Sequence, residues 1–262
     1  MNRIITLTTD FGLSDGFVGA MKGVILGINP QAIIVDITHD IAPQNIAQGA
    51  FLLAHAVQYF PARAIHVVVV DPGVGSARRA IALQIGETIF AAPDNGVLSY
   101  ALRNTQHATR AVHLNKSQYW LPRVSHTFHG RDIFAPVAAH LSLGVPLDAL
   151  GEPIDDWVRL ALPEPTQRAD GAIVGAVVHV DRFGNVVTNI SEEMLAAMDR
   201  ARVIVSIAGR TLHGVKETYA DAARGELIAL ISSSWHLEIA AREGNGAQEL
   251  GVRVGDEIVV AS

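Results

Sequence analysis

The 262-residue chain contains no cysteine, and this absence excludes disulfides, thiolate metal ligands and cysteine nucleophiles. No apolar run reaches the ~18 residues that a membrane span requires. No basic cluster is longer than a pair of residues, so we expect neither a membrane nor a nucleic acid as a partner. The first residues, MNRIITLTTDFG, predict a strand and a turn and lack the features of a signal peptide. These absences favour a soluble, cytoplasmic protein.

Aromatic residues are also few, at 6% of the chain, whereas 49% of the residues are hydrophobic and Ala, Val, Ile and Leu dominate. This composition is typical of layered α/β proteins. The 20 basic and 26 acidic residues give a net charge of −6. The length allows one large domain or two of ordinary size.

Strand-like and helix-like runs alternate through residues 1–150, which predicts an α/β domain with a mostly parallel central sheet. Predicted strands cover residues 4–9, 32–37, 64–71, 80–85 and 88–91, and predicted helices cover 14–26, 45–60, 97–103 and 132–143. Ser14 is a candidate N-cap of the first helix.

Residues 151–170 contain three prolines and mixed charges and are predicted to be a linker. Short runs with turns between them follow in residues 171–262 and predict a smaller all-β, barrel-like domain. The predicted strands cover 172–180, 186–190, 203–207, 227–231 and 257–260, with one helix at 192–198.

The most informative segment is VVVVDPGVGSARR, in which a β-branched strand ends directly on Asp71. Ligands of open α/β sheets lie outside the carboxyl ends of the strands. Two glycines let main-chain N–H groups approach a ligand closely, and Arg78 and Arg79 can orient whatever the carboxylate handles. The segment therefore predicts a site.

Three predicted strand ends in the first domain carry aspartate, at Asp10, Asp36 and Asp71. Taken alone, each of them is better explained as a turn former or a helix cap than as a site residue. Because parallel strand ends gather at one edge of a sheet, the three together favour a site. Asp36, His39 and Asp40 are residue types that bind metals, but a capped, solvated turn is the preferred interpretation. His129, which precedes a predicted helix, is either a buried core histidine or a site residue.

Seven segments together resemble the S-adenosylmethionine (SAM) hydrolase family, also called the SAM hydroxide adenosyltransferase family, which is related to the fluorinase and the chlorinase. They occur in family order along nearly the whole chain: TTDFGLSDGFVGAMKG, DITHDIAPQNIAQGAFLL, VVDPGVGSARR, APDNGVLS, TFHGRDIFAP, DRFGNVVTNI and SSSWHLEIAAREGNGA. The resemblance implies an α/β domain followed by a β-barrel, a homotrimer with active sites between subunits, and hydrolysis of SAM to adenosine and L-methionine. It implies no cofactor and no metal.

The family's water-handling Asp, Arg and His match Asp71, Arg78 and His129, with Arg79 as an adjacent competitor for the arginine role. The resemblance further implies a set of substrate-binding residues: Asp10, Asp15, Phe128, Asp181, Asn185, Ser234 and Arg242. Within it, Asp10 matches the ribose ligand, Asp181 the residue that holds the methionine ammonium, and Asn185 the residue that reads adenine.

The sequence departs from the halogenase relatives, because Gln44 stands where the fluorinase has a tryptophan and the fluorinase insertion is absent. Those halogenases also lack the Asp-Arg-His set, so water is the expected nucleophile. Trp235 and His236 replace the family's usual pair before the LEIA segment. Two alternatives stay open: a chlorinase-like halogenase, and a SAM or adenosine sensor without turnover.

Overall fold

The computed structural model describes residues 4–103, 105 and 107–262. The chain divides into two compact units, Met1–Ala161 and Leu162–Ser262. The first combines helices with a sheet that contains a parallel half, and the second is built mainly from antiparallel strands that form a barrel-like sheet. The predicted fold class is therefore confirmed. Within the described residues, no helix is long and apolar enough to cross a membrane.

The first unit alternates strands and helices in its amino-terminal part. In the described residues its elements are β1 (Ile4–Thr9), α1 (Phe17–Ile28), β2 (Ile33–Thr38), α2 (Ile46–Val57), β3 (Ile65–Val69), β4 (Ala80–Ile85), β5 (Thr88–Pro93), β6 (Thr109–Leu114), α3 (Ala135–Ser142) and β7 (Gly151–Ile154). The strands form one sheet in the order β2-β1-β3-β5-β4-β6-β7. The first four strands in this order are parallel, and the remaining pairings are antiparallel.

Helices cover the central strands of this sheet. Alternate residues of β1 and β3, such as Leu7 and Val67, share one core cluster with α1 and α3. Val68 joins a second cluster with Leu53 of α2. All five residues of β3 are buried, which explains why its sequence is apolar except for His66.

The second unit contains short strands around a core of their own. In the described residues its elements are β8 (Thr166–Gln167), β9 (Ile173–Val180), β10 (Val186–Ser191), β11 (Ile204–Ile207), β12 (Arg210–His213), β13 (Val215–Lys216), β14 (Leu227–Ile231), β15 (His236–Ala241), α4 (Gly246–Leu250) and β16 (Glu257–Ala261). They pair in the order β12-β11-β16-β9-β10-β15-β14-β13, with β8 beside β9. Burial alternates residue by residue along β9, as expected for a sheet with one covered face.

Several local predictions are wrong. Residues 97–103 form successive turns rather than a helix, and residues 192–198 contain only a 3₁₀ turn, at Glu192–Leu195. Helix α1 begins at Phe17 behind Gly16, with no side-chain cap, so Ser14 is not its N-cap. Residues 151–154, placed in the linker from sequence, form β7 at the edge of the first sheet.

Candidate active site

The carboxyl ends of three neighbouring parallel strands bring polar side chains to one edge of the first sheet. β1 lies between β2 and β3, with Thr8 opposite Thr38 and Thr9 opposite Val69. Asp10 directly follows β1, His39 directly follows β2, and Asp71 lies two residues beyond the end of β3. The predicted gathering of Asp10 and Asp71 at one sheet edge is present, at the position where open α/β sheets bind ligands. Asp36 was also predicted at a strand end but lies inside β2, two residues before its last residue.

A cavity of about 380 Å³ lies at this edge, within the first unit. Its walls come from the turn after β1, the segment before α2, the turn after β3 and the segment before α3. The lining residues are Asp10, Phe11, Phe17, Pro43, Gln44, Val69, Asp71, Pro72, Val74, Thr127, Phe128, His129 and Gly130. The volume falls in the range of small-molecule sites.

Arg78 joins Asp71 to His129. Its Nε donates to Asp71 Oδ1 at 3.0 Å and its Nη2 donates to Asp71 Oδ2 at 2.5 Å, a bidentate pair. The same Nη2 lies 2.7 Å from His129 Nδ1. The Asp71 and Arg78 side chains are only 5% and 10% exposed. Such a planar fork fixes both partners in orientation as well as in distance.

Local backbone features hold these groups in place. Gly75 has a φ of +79°, and a Cβ there would lie 2.4 Å from the carbonyl oxygen of His126, so only glycine fits. His129 is followed by a π-helical turn, Gly130–Phe134, that leads into α3. Such wide turns recur at functional sites because they redirect one side chain within a helix.

Burial, reinforced by the positive charge of Arg78, lowers the pKa of His129 below its ordinary value. The imidazole is therefore neutral near pH 7. A guanidinium offers only donors, so Nδ1 must be the acceptor of the contact with Arg78. The neutral ring then carries its hydrogen on Nε2, which makes this nitrogen a donor.

Arg79 is committed elsewhere. Its Nε donates to Asp94 at 2.8 Å, and its other nitrogens donate to the side chain and the main-chain carbonyl of Asp156. Asp94 also accepts from the amide of Val158. Arg79 thus ties residues 156–158 to the turn after β5, whereas Arg78 contacts Asp71 and His129.

The carboxylate of Asp10 lines the cavity and accepts a hydrogen bond from the main-chain N–H of Gln44 at 2.7 Å. Gln44 has a φ of +67°, a conformation that a residue with a side chain rarely adopts. This backbone geometry presents its N–H to Asp10. Asp15 is exposed in the following turn and does not line the cavity.

Three phenylalanines form one aromatic cluster in the cavity wall. The ring centroids of Phe11, Phe17 and Phe128 are 5.2 to 5.8 Å apart, in tilted or edge-to-face pairs. The guanidinium of Arg131 lies 5.0 Å from the Phe128 centroid and also pairs with the buried Asp132. Phe128 was predicted from the family motif, whereas Phe11 and Phe17 were not singled out, although both lie within the first motif.

Two predicted site residues of the second unit, Asp181 and Asn185, occupy one local turn. Asp181 Oδ1 accepts from the main-chain N–H groups of Phe183 and Asn185, and its Oδ2 accepts from Asn185 Nδ2 at 3.0 Å. Phe183, at the tip of the turn, is 75% exposed. The two polar side chains therefore stabilise the turn and display an aromatic ring beside it.

A separate cavity of about 430 Å³ lies next to this turn and is lined by Phe183, Asn185, Tyr219, Arg242 and neighbours. Arg242 donates to the main-chain carbonyls of Ala220 and Ala222. Ser234 does not line this cavity, and its hydroxyl lies 2.7 Å from that of Ser232.

The carboxylate of Glu238 contacts Tyr219, one of the residues that line this second cavity. Glu238 is buried and accepts a hydrogen bond from the Tyr219 hydroxyl at 2.7 Å. Burial, and then the negative charge of Asp181, raise the pKa of Glu238. Burial and Glu238 also raise the pKa of Tyr219. Neither residue was predicted, because nothing in the LEIA segment marks its glutamate as buried.

The metal interpretation of Asp36, His39 and Asp40 finds no support in geometry. Asp36 pairs with Lys22 at 2.6 Å and lies 3.1 Å from His39 Nε2. In the part of the chain that the structure describes, no group of three His, Asp or Glu side chains is arranged to hold a metal ion.

Family models for the SAM hydroxide adenosyltransferase N-terminal and C-terminal domains match residues 5–151 and 175–259. A protein from Salinispora tropica named (R)-S-adenosyl-L-methionine hydrolase is 42% identical over 98% of this chain and 97% of its own. A fluorinase from an Actinoplanes species is 27% identical over 99% and 97% of the two chains. The crystal structure of an uncharacterized conserved protein from Thermotoga maritima superposes with a TM-score of 0.92 at 38% identity, covering 98% of this chain and 100% of that one. The chain therefore belongs to the SAM hydroxide adenosyltransferase family.

Proposed function

We propose that the protein hydrolyses SAM to adenosine and L-methionine by in-line attack of a water molecule on C5′. The observation that carries this proposal is the Asp71–Arg78–His129 group, joined through one guanidinium at the wall of a substrate-sized cavity. The name of the Salinispora tropica relative supports the same reaction. Binding alone would not require this set of groups.

Water is a poor nucleophile, so the enzyme must hold it in line behind C5′, with the reacting atoms roughly 3 Å apart. In this arrangement His129 donates a hydrogen bond from Nε2 to the water oxygen. Because its Nδ1 lone pair is taken by Arg78, neutral His129 has no free nitrogen to accept the proton. His129 therefore orients the water and does not act as the base.

Asp71 accepts the proton. Each of its carboxylate oxygens bonds to Arg78 and keeps a further lone pair for the water. As the C5′–O bond forms, the C5′–S bond breaks and its electron pair returns to sulfur, which leaves as the neutral thioether of methionine. The water proton passes to Asp71 and then to solvent. A neutral leaving group requires neither an acid nor a Lewis acid.

The remaining predicted residues bind the substrate. Asp10 lines the cavity of the first unit, beside the Phe128 ring, and holds the ribose. Asp15, in the turn that follows Asp10, adds negative charge that favours the sulfonium cation. Asp181 and Asn185 hold the methionine ammonium and adenine.

Ser234 and Arg242 complete this set, at positions that match methionine-carboxylate and loop contacts in the halogenase relatives. Together with Asp181 and Asn185 they belong to the second unit, whereas Asp71 and Asp10 belong to the first. We therefore infer a homotrimer whose active sites form between neighbouring subunits, as the family resemblance implies. The cytoplasm is the predicted location, where SAM is available as a substrate.

The test is incubation with SAM followed by chromatography of the products. Adenosine and L-methionine should form, should form equally with a chelator present, and should carry oxygen from labelled water in the 5′-hydroxyl. Added chloride tests the chlorinase-like alternative, since that activity would give 5′-chloro-5′-deoxyadenosine. SAM binding without any product would identify a sensor and refute the proposal.

A further inference from the structure

A buried histidine outside the cavity connects the ends of β1 and β2. His39 is 4% exposed, and its Nδ1 lies 2.8 Å from the hydroxyl of Thr9, the last residue of β1. Its Nε2 lies 3.1 Å from Asp36 Oδ1, an ion-pair distance whose alignment falls short of a hydrogen bond. Asp36 is held in turn by Lys22 at 2.6 Å.

The contacts of the Asp36–His39–Thr9 network indicate which atom donates and which accepts in each hydrogen bond. Because Nε2 of His39 faces the carboxylate of Asp36, the neutral ring carries its hydrogen on Nε2 and leaves Nδ1 as an acceptor. The Thr9 hydroxyl then donates to His39 Nδ1 at 2.8 Å, and its oxygen accepts from the main-chain N–H of Phe11 at 3.2 Å. The main-chain carbonyl of His39 also accepts from the N–H of Gly12 at 2.8 Å.

His39 therefore holds the turn after β1 at two points, one through its side chain and one through its main chain. Between these points lie Asp10 and Phe11, both of which line the cavity. His39 and Asp36 themselves do not line it. The Thr9 hydroxyl and the Gly12 amide therefore connect His39 to the residues on either side of Asp10 and Phe11.

We propose that His39, oriented by Asp36, is a positioning residue that fixes the Asp10–Phe11 wall of the cavity for substrate binding. The inference rests on the proposed function for the identity of the substrate. The water-handling group at Asp71 lies on a different strand end and keeps its own contacts. Loss of the network should therefore weaken substrate binding rather than slow the chemical step.

The chain contains a matched control on the same strand. Thr6 of β1 and His66 of β3 make the same contact, from threonine Oγ1 to histidine Nδ1, at 2.7 Å. This pair is fully buried, does not line the cavity, and leaves His66 Nε2 without a partner. Its loss should cost stability and nothing else.

The experiment measures KM, kcat and Tm for Thr9→Val, Thr9→Ser, His39→Asn and His39→Gln, with Thr6→Val and His66→Asn as controls. Thr9→Val should raise KM for SAM roughly tenfold with kcat nearly unchanged. Thr9→Ser restores the hydroxyl and should restore KM.

The histidine variants test which ring nitrogen matters. The Asn side chain places its amide where Nδ1 was, and Gln places it where Nε2 was. His39→Asn should therefore stay closer to wild type than His39→Gln. The two controls should lower Tm without changing KM.

A second readout does not depend on turnover. The Phe11 amide should exchange its hydrogen faster in His39→Gln than in wild type, although His39 does not contact that amide directly. It should be unchanged in Thr6→Val.

If wild type fails to hydrolyse SAM, the proposed function is wrong, and the exchange rate at Phe11 still tests the positioning role. An unchanged KM in the active Thr9→Val and His39→Gln enzymes, unchanged exchange at Phe11, or equal effects of the Thr6 and Thr9 substitutions on KM would overturn the inference.

Discussion

The Asp71 group of the first unit and the Asp181 turn of the second use the same kinds of side chains in different ways. Asp71 and Arg78 belong to the same turn after β3, whereas His129 lies 51 residues beyond Arg78, and Arg78 bonds to both of the others. Asp181 and Asn185 are four residues apart and bond within their own turn. The first arrangement buries polar side chains that are not needed to form a helix or a strand. The second is explained by turn formation alone.

This difference separates two levels of evidence for function. The contact of Arg78 with His129 joins distant segments beside a cavity and is not needed to form a turn, which favours a role in the proposed chemistry. Asp181 and Asn185 already stabilise a turn, so an experiment must separate this structural role from a role in ligand binding. We therefore expect substitutions in the two regions to change different kinetic constants.

The largest effect is expected for Asp71→Asn, which keeps the size of the side chain and removes the carboxylate that we propose as the proton acceptor. Turnover should fall by about 10² to 10⁴-fold, the usual contribution of a positioned base, with a small change in SAM affinity. Single-turnover kinetics would measure the turnover, and calorimetry would measure the affinity for SAM. Lost binding with normal turnover at saturation would make Asp71 a substrate ligand.

Substitutions of the adjacent residues Arg78 and Arg79 should have different effects. Arg78→Ala should lower kcat by about 10²-fold, because Asp71 and His129 lose their common partner. Arg79→Ala should leave kcat near wild type and lower Tm by roughly 5 °C, since buried Asp94 loses its charged partner. Steady-state kinetics and thermal unfolding of both variants provide the check, and a kcat loss confined to Arg79→Ala would reverse the assignment.

The next expectation concerns pH and His129. Because burial and Arg78 lower the pKa of His129, turnover should fall only as the pH drops below the ordinary histidine value of about 6.5. Protonation puts a hydrogen on Nδ1 and breaks the contact with Arg78. His129→Gln keeps a donor near Nε2 and cannot titrate, so it should lose about tenfold in kcat and flatten the acidic limb of the pH profile. A limb that persists in His129→Gln belongs to another group.

The smallest expected effect is on the Asp181 turn. Asp181→Asn keeps an oxygen for the main-chain N–H groups of Phe183 and Asn185 and removes the negative charge. If Asp181 holds the ammonium of SAM, KM should rise roughly tenfold with little change in Tm. Asp181→Ala should raise KM and also lower Tm. A normal KM in Asp181→Asn would leave the carboxylate with a structural role only.

Strands rich in β-branched residues were predictable from sequence. The four valines at 67–70 predicted β3 as a buried strand, and all of its residues are buried in the structure. Along β9 burial alternates, but its residues are mostly apolar on both faces, so this alternation is not visible in the sequence. Residues 97–103 have an apolar pattern that fits a helix but form turns. Short segments of this kind are decided by packing, since their local preference is too weak to fix a helix.

Sequence by itself determined the family, the α/β and all-β division and the strand ends that carry Asp10 and Asp71. These depend on composition, periodicity and motif order, which are local properties of the chain. Only the tertiary structure showed that Arg78, and not Arg79, contacts Asp71 and His129, identified the acceptor nitrogen of His129, and located His39 beside Thr9, the residue before Asp10. The physical reason is that hydrogen-bond partners are chosen by distance and angle in space, and neighbours in space such as Arg78 and His129 are 51 residues apart in sequence.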